Sequence, residues 1–235
     1  MDSKVYRHEM KFLCGESQLY IIENKIRHIC RPDFYGGDNG SYRVKSLYFD
    51  TPDDMCWQEI LSGTDARKKY RLRIYNDDAD VIKLECKYSL RDRKAKEVCR
   101  MTRKQCLSLM VNSPAGRVEP AENADPLLCR FLVERRMELL TPKVIVEYRR
   151  TPYVFPGGNV RITFDRRIRS SCRTERFLEK GDALFKSILP ENVHILEVKY
   201  DEGLPGAVRE LLTAGQELRR TSFSKYGLCR EYGME

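Results

Sequence analysis

The chain has 235 residues, 41% of them hydrophobic and 33% charged, and its 43 Lys and Arg against 35 Asp and Glu give a net charge of +8. This composition allows a sizeable core, and the basic excess suits an anionic partner, although ordinary solubility explains it equally well. The nine Cys form no C-x-x-C pair, the first residues contain no apolar signal region, and no segment approaches the roughly 18 consecutive apolar residues of a membrane span. We therefore expect no secreted disulfide framework and no membrane span of its own, and we predict a cytoplasmic protein with reduced thiols.

Alternation of polar and apolar residues predicts eight β-strands. In chain order they are Tyr6–Leu13, Tyr42–Phe49, Lys69–Tyr75, Val81–Tyr88, Lys94–Met101, Lys143–Val154, Val160–Ile168 and His194–Tyr200. The polar run Asp77, Asp78 and Asp80 between the third and fourth strands indicates a hairpin, as does Gly157, Gly158 and Asn159 between the sixth and seventh. Hairpins favour a mainly antiparallel sheet over the parallel sheet of an α/β fold.

Helical stretches lie between the strands. They are Gln18–Ile29 after a capping Ser17, Arg103–Val111 after Thr102, Leu127–Leu140 after Asp125 and Pro126, and Pro205–Thr213. A loop rich in Pro, Gly and Ala is predicted at Ser113–Asn123. No linker is long enough to split the chain, so we expect a single domain over residues 1–235 with an α+β fold.

Charged residues recur at every second position of the predicted strands and therefore share one face of each strand. An acid followed by a base two residues later recurs in Glu9 and Lys11, Glu85 and Lys87 with Lys83 before them, Glu147 and Arg149, and Glu197 and Lys199; Arg71 with Arg73, and Arg161, Thr163 and Asp165, also share faces. On any one strand this pattern is typical of a solvated sheet face. Its repetition opposite fully apolar faces predicts a closed barrel of about eight strands, with flanking helices outside and the charges inside.

Such an interior has a chemical use. Arg offers a planar fork to phosphate oxygens and Lys offers a point charge. Acids among these bases would weaken phosphate binding unless they hold a divalent metal, and Mn²⁺ or Mg²⁺ takes oxygen ligands and bridges phosphates. The sequence therefore predicts a triphosphate site with a metal, for which Glu85, Glu147 and Glu197 are candidate ligands.

Eight motifs in order carry a family resemblance. They are RHEMKF, YRVKSLYFDT, KYRLRIY, KLECK, VEYRR, RITFDRRIR, LEVKYD and SFSKYGLC. Together, from about Tyr6 to Cys229, they resemble the VTC domain of the triphosphate tunnel metalloenzymes. The resemblance implies an antiparallel tunnel, basic residues that bind phosphates, a glutamate that binds Mn²⁺ or Mg²⁺, and transfer of the terminal phosphate of ATP to a growing polyphosphate chain. It also admits a separate membrane partner, since eukaryotic relatives work within membrane complexes.

Site residues follow motif by motif. The resemblance implies catalytic roles for Arg71, Arg73, Lys87, Arg149, Arg161 and Lys225, substrate binding by Lys11, Lys96, Ser222, Ser224 and Arg43, and metal binding by Glu197. Arg43 fits the tunnel rim equally well, and the alternation pattern adds Lys83 and Lys199 as substrate-binding candidates. The adenylate-cyclase and thiamine-triphosphatase branches begin with E-x-E-x-K. Here Arg7 stands at the first Glu position, which favours the polymerase branch.

Two other functions remain open at this stage. A triphosphatase or polyphosphatase would use the same tunnel with water as the acceptor. The other is a non-catalytic module that binds polyanions or nucleic acid. RNA binding typically uses exposed aromatic residues among basic ones, and the acids repeated on the same strand faces argue against such a module. The partners we expect are ATP and polyphosphate, not nucleic acid. The chain has no G-x-x-x-x-G-K-[ST] loop, so phosphate binding does not use a P-loop.

Overall fold

The structure is a computed structural model that describes residues 4–36, 40–111, 124–181, 185–213, 218–222 and 224–232. The strands within these ranges are β1 (Arg7–Gly15), β2 (Arg31–Pro32), β3 (Tyr42–Asp50), β4 (Ala66–Tyr75), β5 (Asp78–Leu90), β6 (Arg93–Met101), β7 (Thr141–Phe155), β8 (Val160–Ser171), β9 (Lys186–Ser187), β10 (Val193–Tyr200) and β11 (Arg219–Thr221). The helices are α1 (Glu16–Ile29), α2 (Met55–Leu61), α3 (Arg103–Met110), α4 (Pro126–Met137), α5 (Gly206–Thr213) and α6 (Lys225–Glu231). All eight predicted strands are present, as β1, β3 to β8 and β10.

The eight long strands close into an antiparallel barrel. Their order is β7, β3, β4, β5, β6, β1, β10 and β8, and β8 pairs back with β7. The predicted fold class is therefore confirmed. The weakest pairing is between β1 and β6, which align only at Arg7 and His8; further along β1 its free edge pairs with β11 instead. The barrel wall is thus incomplete at this place.

The β4–β5 hairpin sets the register of the most basic part of the wall. Asn76 and Asp77 form its turn with φ values of 52° and 56°. Positive φ at both central residues is the geometry of a type I′ turn, whose twist matches that of the strands. The resulting register places Arg71 opposite Glu85 and Arg73 opposite Lys83. A local turn preference thereby brings charged residues of two strands together.

The apolar faces of the strands point outward under the helices, as predicted. On one side Leu72, Ile74 and Leu84 pack in a core that includes Phe131 of α4 and Leu109 of α3. On the other side strands β1, β8 and β10 pack against helices α1 and α5. Because each strand alternates, this outward packing turns the opposite, charged positions into the barrel.

One end of the barrel is filled by helix α6, which the sequence analysis did not predict. Tyr226 and Cys229 are fully buried among inward-facing residues such as Val144, Val146 and Ile195. The hydroxyl of Tyr226 donates a hydrogen bond to the carboxylate of Asp50. This end therefore holds an apolar plug, and the open space in the barrel lies beyond it.

Helix boundaries differ from the predictions at several points. Helix α1 begins at Glu16, and its cap is Gly15, whose backbone N–H donates to the side chain of Gln18 at 2.9 Å, so Ser17 is not the cap. Thr102 and Asp125 cap α3 and α4 as predicted. The predicted loop Ser113–Asn123 lies outside the described residues. Among the residues described, no helix is both long and apolar enough to cross a membrane.

The cysteines agree with the predicted thiol chemistry. Six of them are buried, namely Cys14, Cys30, Cys86, Cys99, Cys106 and Cys229, and these six are free thiols. Burial raises the pKa of the Cys14 thiol to about 12. These groups are uncharged apolar packing residues in the folded chain.

Candidate active site in the barrel

The open part of the barrel contains two adjoining chambers. An inner chamber of about 60 Å³ is lined by Lys11, Tyr48, Lys69, Arg71, Arg73, Lys87, Tyr148, Arg150, Glu197, Lys199, Ser224 and Lys225. A mouth chamber of about 300 Å³ shares Arg71, Arg73, Lys87, Arg150 and Lys199 with it and adds Val5, Arg7, His8, Glu9, Tyr42, Tyr75, Lys94, Ala95, Lys96 and Arg161. Residues from every long strand except β6 and β8 line the inner chamber, and these two strands line the mouth chamber, β6 with Lys94, Ala95 and Lys96 and β8 with Arg161.

The charge of these chambers is strongly positive. Twelve Lys and Arg side chains line them, against the two carboxylates of Glu9 and Glu197. Glu85 and Asp165 lie directly behind the lining and pair with it. Arg7 and Arg161 at the mouth pair with two further acids, Asp201 and Asp33. Twelve bases minus these six acids leaves a surplus of no more than six positive charges in a concave, partly desolvated space, where electrostatic attraction for an anion is strong.

Arg71 and Arg73 are held in place by Glu85. Arg71 donates to Oε2 of Glu85 from Nε at 2.7 Å and from Nη2 at 2.6 Å, and Nη1 of Arg73 lies 3.6 Å from the same oxygen. Lys96 occupies the other oxygen at 2.9 Å. Burial alone would raise the pKa of Glu85, but Arg71, Arg73 and Lys96 hold it well below its usual range. Both oxygens are engaged, so Glu85 orients the arginines.

A second acid, Glu9, bridges three lysines of different strands. Its carboxylate lies 2.9 Å from Nζ of Lys11, 2.9 Å from Nζ of Lys87 and 3.6 Å from Nζ of Lys199. Burial by itself would raise the pKa of Glu9, but the charges of Lys11 and Lys87 hold it well below its usual range. Glu9 therefore fixes these ammonium groups at the boundary of the two chambers.

The third cluster joins β7, β8 and β10 to helix α6. Arg150 makes a bidentate pair with Asp165, with both distances 2.7 Å, and Nζ of Lys225 lies 2.6 Å from Asp165. Glu197 pairs with Lys199 at 2.7 Å and lies 3.8 Å from Lys225. Burial would raise the pKa of Glu197, but Lys199, Lys225 and Arg150 hold it well below its usual range.

Lys69 is a site residue that the sequence analysis missed, although it shares a strand face with Arg71 and Arg73. Its Nζ donates to Oγ of Ser224 at 2.8 Å. Unlike the other lysines of the inner chamber, it makes no ion pair with a carboxylate of the described residues. Burial, together with the charges of Lys11 and Arg71, lowers the pKa of Lys69 to about 7. Lys69 is therefore only partly charged near neutral pH.

The expected placement of Glu147, Arg149 and Arg43 inside the tunnel is wrong. Glu147 lies outside the barrel with Arg169, Arg149 is exposed, and Arg43 pairs with Asp77 at 2.6 Å on the outer face. The reason is that β7 is apolar on both faces where it covers the plug, at Val144, Ile145 and Val146, so the pattern does not reveal which face is inside. Tyr148 and Arg150 point inward instead.

The remaining predicted residues lie around the chambers. Lys83 stands at the mouth, with Nζ 5.1 Å from the ring centre of Tyr75. Ser222 lines a separate cavity of about 480 Å³ with Glu9, Lys11 and Lys94. This cavity, here called the side opening, lies where β1 and β6 separate and β11 begins, and it adjoins both chambers through Glu9 and Lys11. The roles of all these residues stay predictions.

The residues present fit a metal ion of the Mn²⁺ or Mg²⁺ type. The described residues contain no group of three or more His, Cys, Asp or Glu arranged as a complete cage. Mg²⁺, however, is usually held by one or two carboxylates, with substrate phosphates and water as the other ligands. Oε2 of Glu197 lies 3.8 Å from Nζ of Lys225, beyond hydrogen-bond distance, and Thr163, directly opposite Glu197, has a buried hydroxyl without a hydrogen-bond partner among the described residues. These oxygens are suitable ligands beside bound phosphates.

The sequence matches the VTC domain over residues 6–232. The chain belongs to the VTC domain family. This membership agrees with the barrel, the basic chambers and the motif order. No curated protein sequence matches this VTC domain.

Solved structures of similar fold have little sequence identity to it. The Hippeastrum protein HpAC1, described as having a dominant triphosphatase activity, has 11% identity and a TM-score of 0.52, with 97% of this chain and 96% of that chain covered. PH1819 from Pyrococcus horikoshii OT3 has 14% identity and a TM-score of 0.49, with 96% and 99% covered. The Mimivirus capping enzyme triphosphatase has 12% identity and a TM-score of 0.41, with 90% and 88% covered.

Proposed function

We propose that this VTC domain is a metal-dependent polyphosphate polymerase that transfers the terminal phosphate of ATP to a growing polyphosphate chain. The observation that supports this best is the size of the positive surplus in the chambers. Bound ATP carries about four negative charges, which is fewer than the six surplus charges of the chambers. The phosphates of a second polyanion can therefore be held beside it.

The two ways into the barrel support the same reaction. With one end filled by α6, the mouth chamber and the side opening are the routes by which a donor and a polymer reach the inner chamber from different directions. A polymer held across the centre keeps its terminal phosphate near the donor, which gives it a high effective concentration over a freely diffusing acceptor.

The chain's own residues would act by positioning and charge stabilisation. In the transfer, the bond between the terminal phosphorus of ATP and its bridging oxygen breaks, a bond to the terminal oxygen of the polymer forms, and ADP leaves. Arg71, Arg73 and Arg150 would hold the phosphoryl oxygens, and their carboxylate partners keep them oriented before substrate binds. The acceptor is already an anion, so no protein nucleophile or base is needed. A metal bound by Glu197 would neutralise charge on the phosphates.

The test is product analysis of the purified protein with ATP and Mn²⁺. We expect long-chain polyphosphate on a gel together with ADP, and no polymer when the metal is chelated or in the Arg71→Ala variant. If the protein releases only orthophosphate, even with a short polyphosphate primer, the polymerase proposal is wrong. If it yields neither product, it is a polyanion-binding module.

A triphosphatase in the same chambers is the second candidate. Lys69, with a pKa of about 7, is partly neutral near pH 7 and can accept a proton from an attacking water, a step that only hydrolysis needs. The Hippeastrum protein of similar fold is also described as a triphosphatase. The product analysis separates the two reactions. For either one we place the protein in the reducing cytoplasm, because six of its thiols are buried and unbonded.

A further inference from the structure

The barrel carries a second basic cavity on its outer surface. We propose that it binds a linear phosphate chain outside the tunnel. This outer arginine pocket has a volume of about 310 Å³, and its charged lining residues are Arg43, Arg149, Arg167, Arg169, Asp77 and Glu147. It lies on the face of β3, β7 and β8 that points away from the chambers. Tyr42 lines both this pocket and the mouth chamber, so the two are neighbours.

The acids of the pocket are already neutralised by their own partners. Asp77 lies 2.5 Å from Nζ of Lys45 and 2.6 Å from Arg43. Glu147 accepts hydrogen bonds from Arg169 and lies 3.8 Å from Nζ of Lys45. Arg43, Arg169 and Lys45 are therefore engaged by acids, and the pocket attracts an anionic ligand through its other two arginines, Arg149 and Arg167.

Two of the arginines make no ion pair within the described part of the chain. They are Arg149 and Arg167, and both are exposed. Arg167 has a φ of 51°, in the left-handed region that a non-glycine residue rarely adopts. It lies where the pairing of β7 with β8 shifts register. Backbone strain of this kind persists mainly where it serves a function, and an anion bound by Arg167 would supply one.

The register of the sheet sets Arg149 between two other arginines, Arg43 on β3 and Arg166 on β8. Each of these two is paired with an acid, Arg43 with Asp77 and Arg166 with Glu23 of α1. The charge of Arg149 is therefore the one of the three that a phosphate can compensate, and phosphate oxygens would accept hydrogen bonds from its planar guanidinium group.

The chemistry of the lining favours polyphosphate over nucleic acid. Single-stranded RNA is recognised largely by stacking its bases on exposed aromatic rings. The aromatic residues of this pocket, Tyr42 and Tyr148, are only 7% and 4% exposed, and their rings face the barrel. The inference rests on the proposed function, since the tunnel is the proposed source of the chain that would pass over the neighbouring pocket.

The experiment is isothermal titration calorimetry of the full chain with inorganic tripolyphosphate. We expect two sites per chain. The double variant Arg149→Gln, Arg167→Asn should keep the fold, because both side chains are exposed and Asn tolerates positive φ, and it should lose one site. We expect about tenfold weaker binding or more for each arginine removed. Arg103→Gln, Arg136→Gln removes the same charge from exposed positions of α3 and α4 and should keep both sites.

Tunnel variants make the outcomes distinguishable. Arg71→Ala, with Arg161→Ala as a second choice should the first misfold, should lose the other site. A single site that only the tunnel variants remove would overturn the outer pocket and leave the proposed function standing. A single site that is lost only in the Arg149→Gln, Arg167→Asn variant would support the outer pocket and contradict the proposed function. If single-stranded RNA displaces the ligand from the outer pocket as well as long-chain polyphosphate does, the pocket is a nucleic-acid surface and the proposal is wrong.

Discussion

Replacing Lys69 by Met should stabilise the substrate-free protein. The pKa of Lys69 is lowered from 10.5 to about 7, and at about 1.4 kcal/mol per pH unit this gap corresponds to about 5 kcal/mol of unfavourable interaction with the charged form. Met keeps the apolar stem and removes the charge, but loses the hydrogen bond to Ser224, worth about 1 kcal/mol. Allowing for relaxation around the ammonium group, we expect Lys69→Met to gain about 2–4 kcal/mol at pH 6.

The gain should depend on pH in a defined direction. Below about pH 7 Lys69 is protonated in both the folded and the unfolded chain, so the cost is present in full. Between about 7 and 10.5 the unfolded chain binds the extra proton, so the free energy of unfolding of the wild type rises with pH. The advantage of Lys69→Met should therefore shrink from pH 6 to pH 9.

Chemical denaturation at several pH values measures the difference in unfolding free energy between Lys69→Met and the wild type. Titration with tripolyphosphate at the same pH values measures how the substitution changes anion affinity. A bound polyanion favours protonated Lys69, so wild-type affinity should fall as pH rises above 7. Lys69→Met should bind more weakly at pH 6 and show a smaller pH dependence, since burial also lowers the pKa of Lys87. Lys68→Met is the matched control, since Lys68 pairs with Glu134 at 2.7 Å on the outer face. If Lys69→Met destabilises the protein at pH 6, or its effect is the same at pH 6 and pH 9, the reasoning is refuted.

Two further substitutions test the assignment of the chambers. Glu197→Gln should abolish most Mn²⁺-dependent turnover while circular dichroism shows a folded protein. Glu147→Gln should keep the Mn²⁺ response and lower Tm, because the buried Glu147 carboxylate no longer pairs with Arg169; the opposite result would move the metal site. Arg150→Lys keeps the charge but loses the fork that grips Asp165, so kcat/KM should fall by about tenfold or more; a change no larger than that of Arg136→Lys would remove Arg150 from the site.

The sequence predicted most of the barrel because local and tertiary preferences agree there. The β4–β5 hairpin combines a positive-φ turn at Asn76 and Asp77 with strict alternation in both strands. One buried face then fixes the register, since a slip of one residue would expose every apolar side chain. This agreement is why Arg71, Arg73 and Lys87 were placed correctly in the interior, and the same alternation would have identified Lys69.

The alternation of polar and apolar residues did not predict which face of β7 points inward, and it did not predict helix α6. Val144, Ile145 and Val146 are all buried, because one face of β7 meets the outer core and the other meets the plug. Helix α6 is seven residues long and contains Gly227, which is unfavourable for a helix by itself. The glycine is explained by packing, since a Cβ at Gly227 would lie 3.2 Å from Cγ2 of Ile60 in α2. Such long-range contacts leave no local pattern in the sequence.

The acids inside the barrel stabilise the substrate-free protein, and they also compete with phosphate for the same bases. Glu85 is the clearest example. It holds Arg71, Arg73 and Lys96 together when no substrate is bound, so Glu85→Gln should cost about 3–5 kcal/mol of unfolding free energy, as for a broken buried ion pair. A polyphosphate must compete with this carboxylate for the same bases, so the variant should bind tripolyphosphate more tightly and gain a larger thermal shift on binding than the wild type. Tighter binding should also slow release of the polymer and lower turnover. If affinity and stability fall together in Glu85→Gln, the loss of oriented arginines outweighs the relief of competition, and competition between carboxylate and phosphate is not what keeps the polymer mobile.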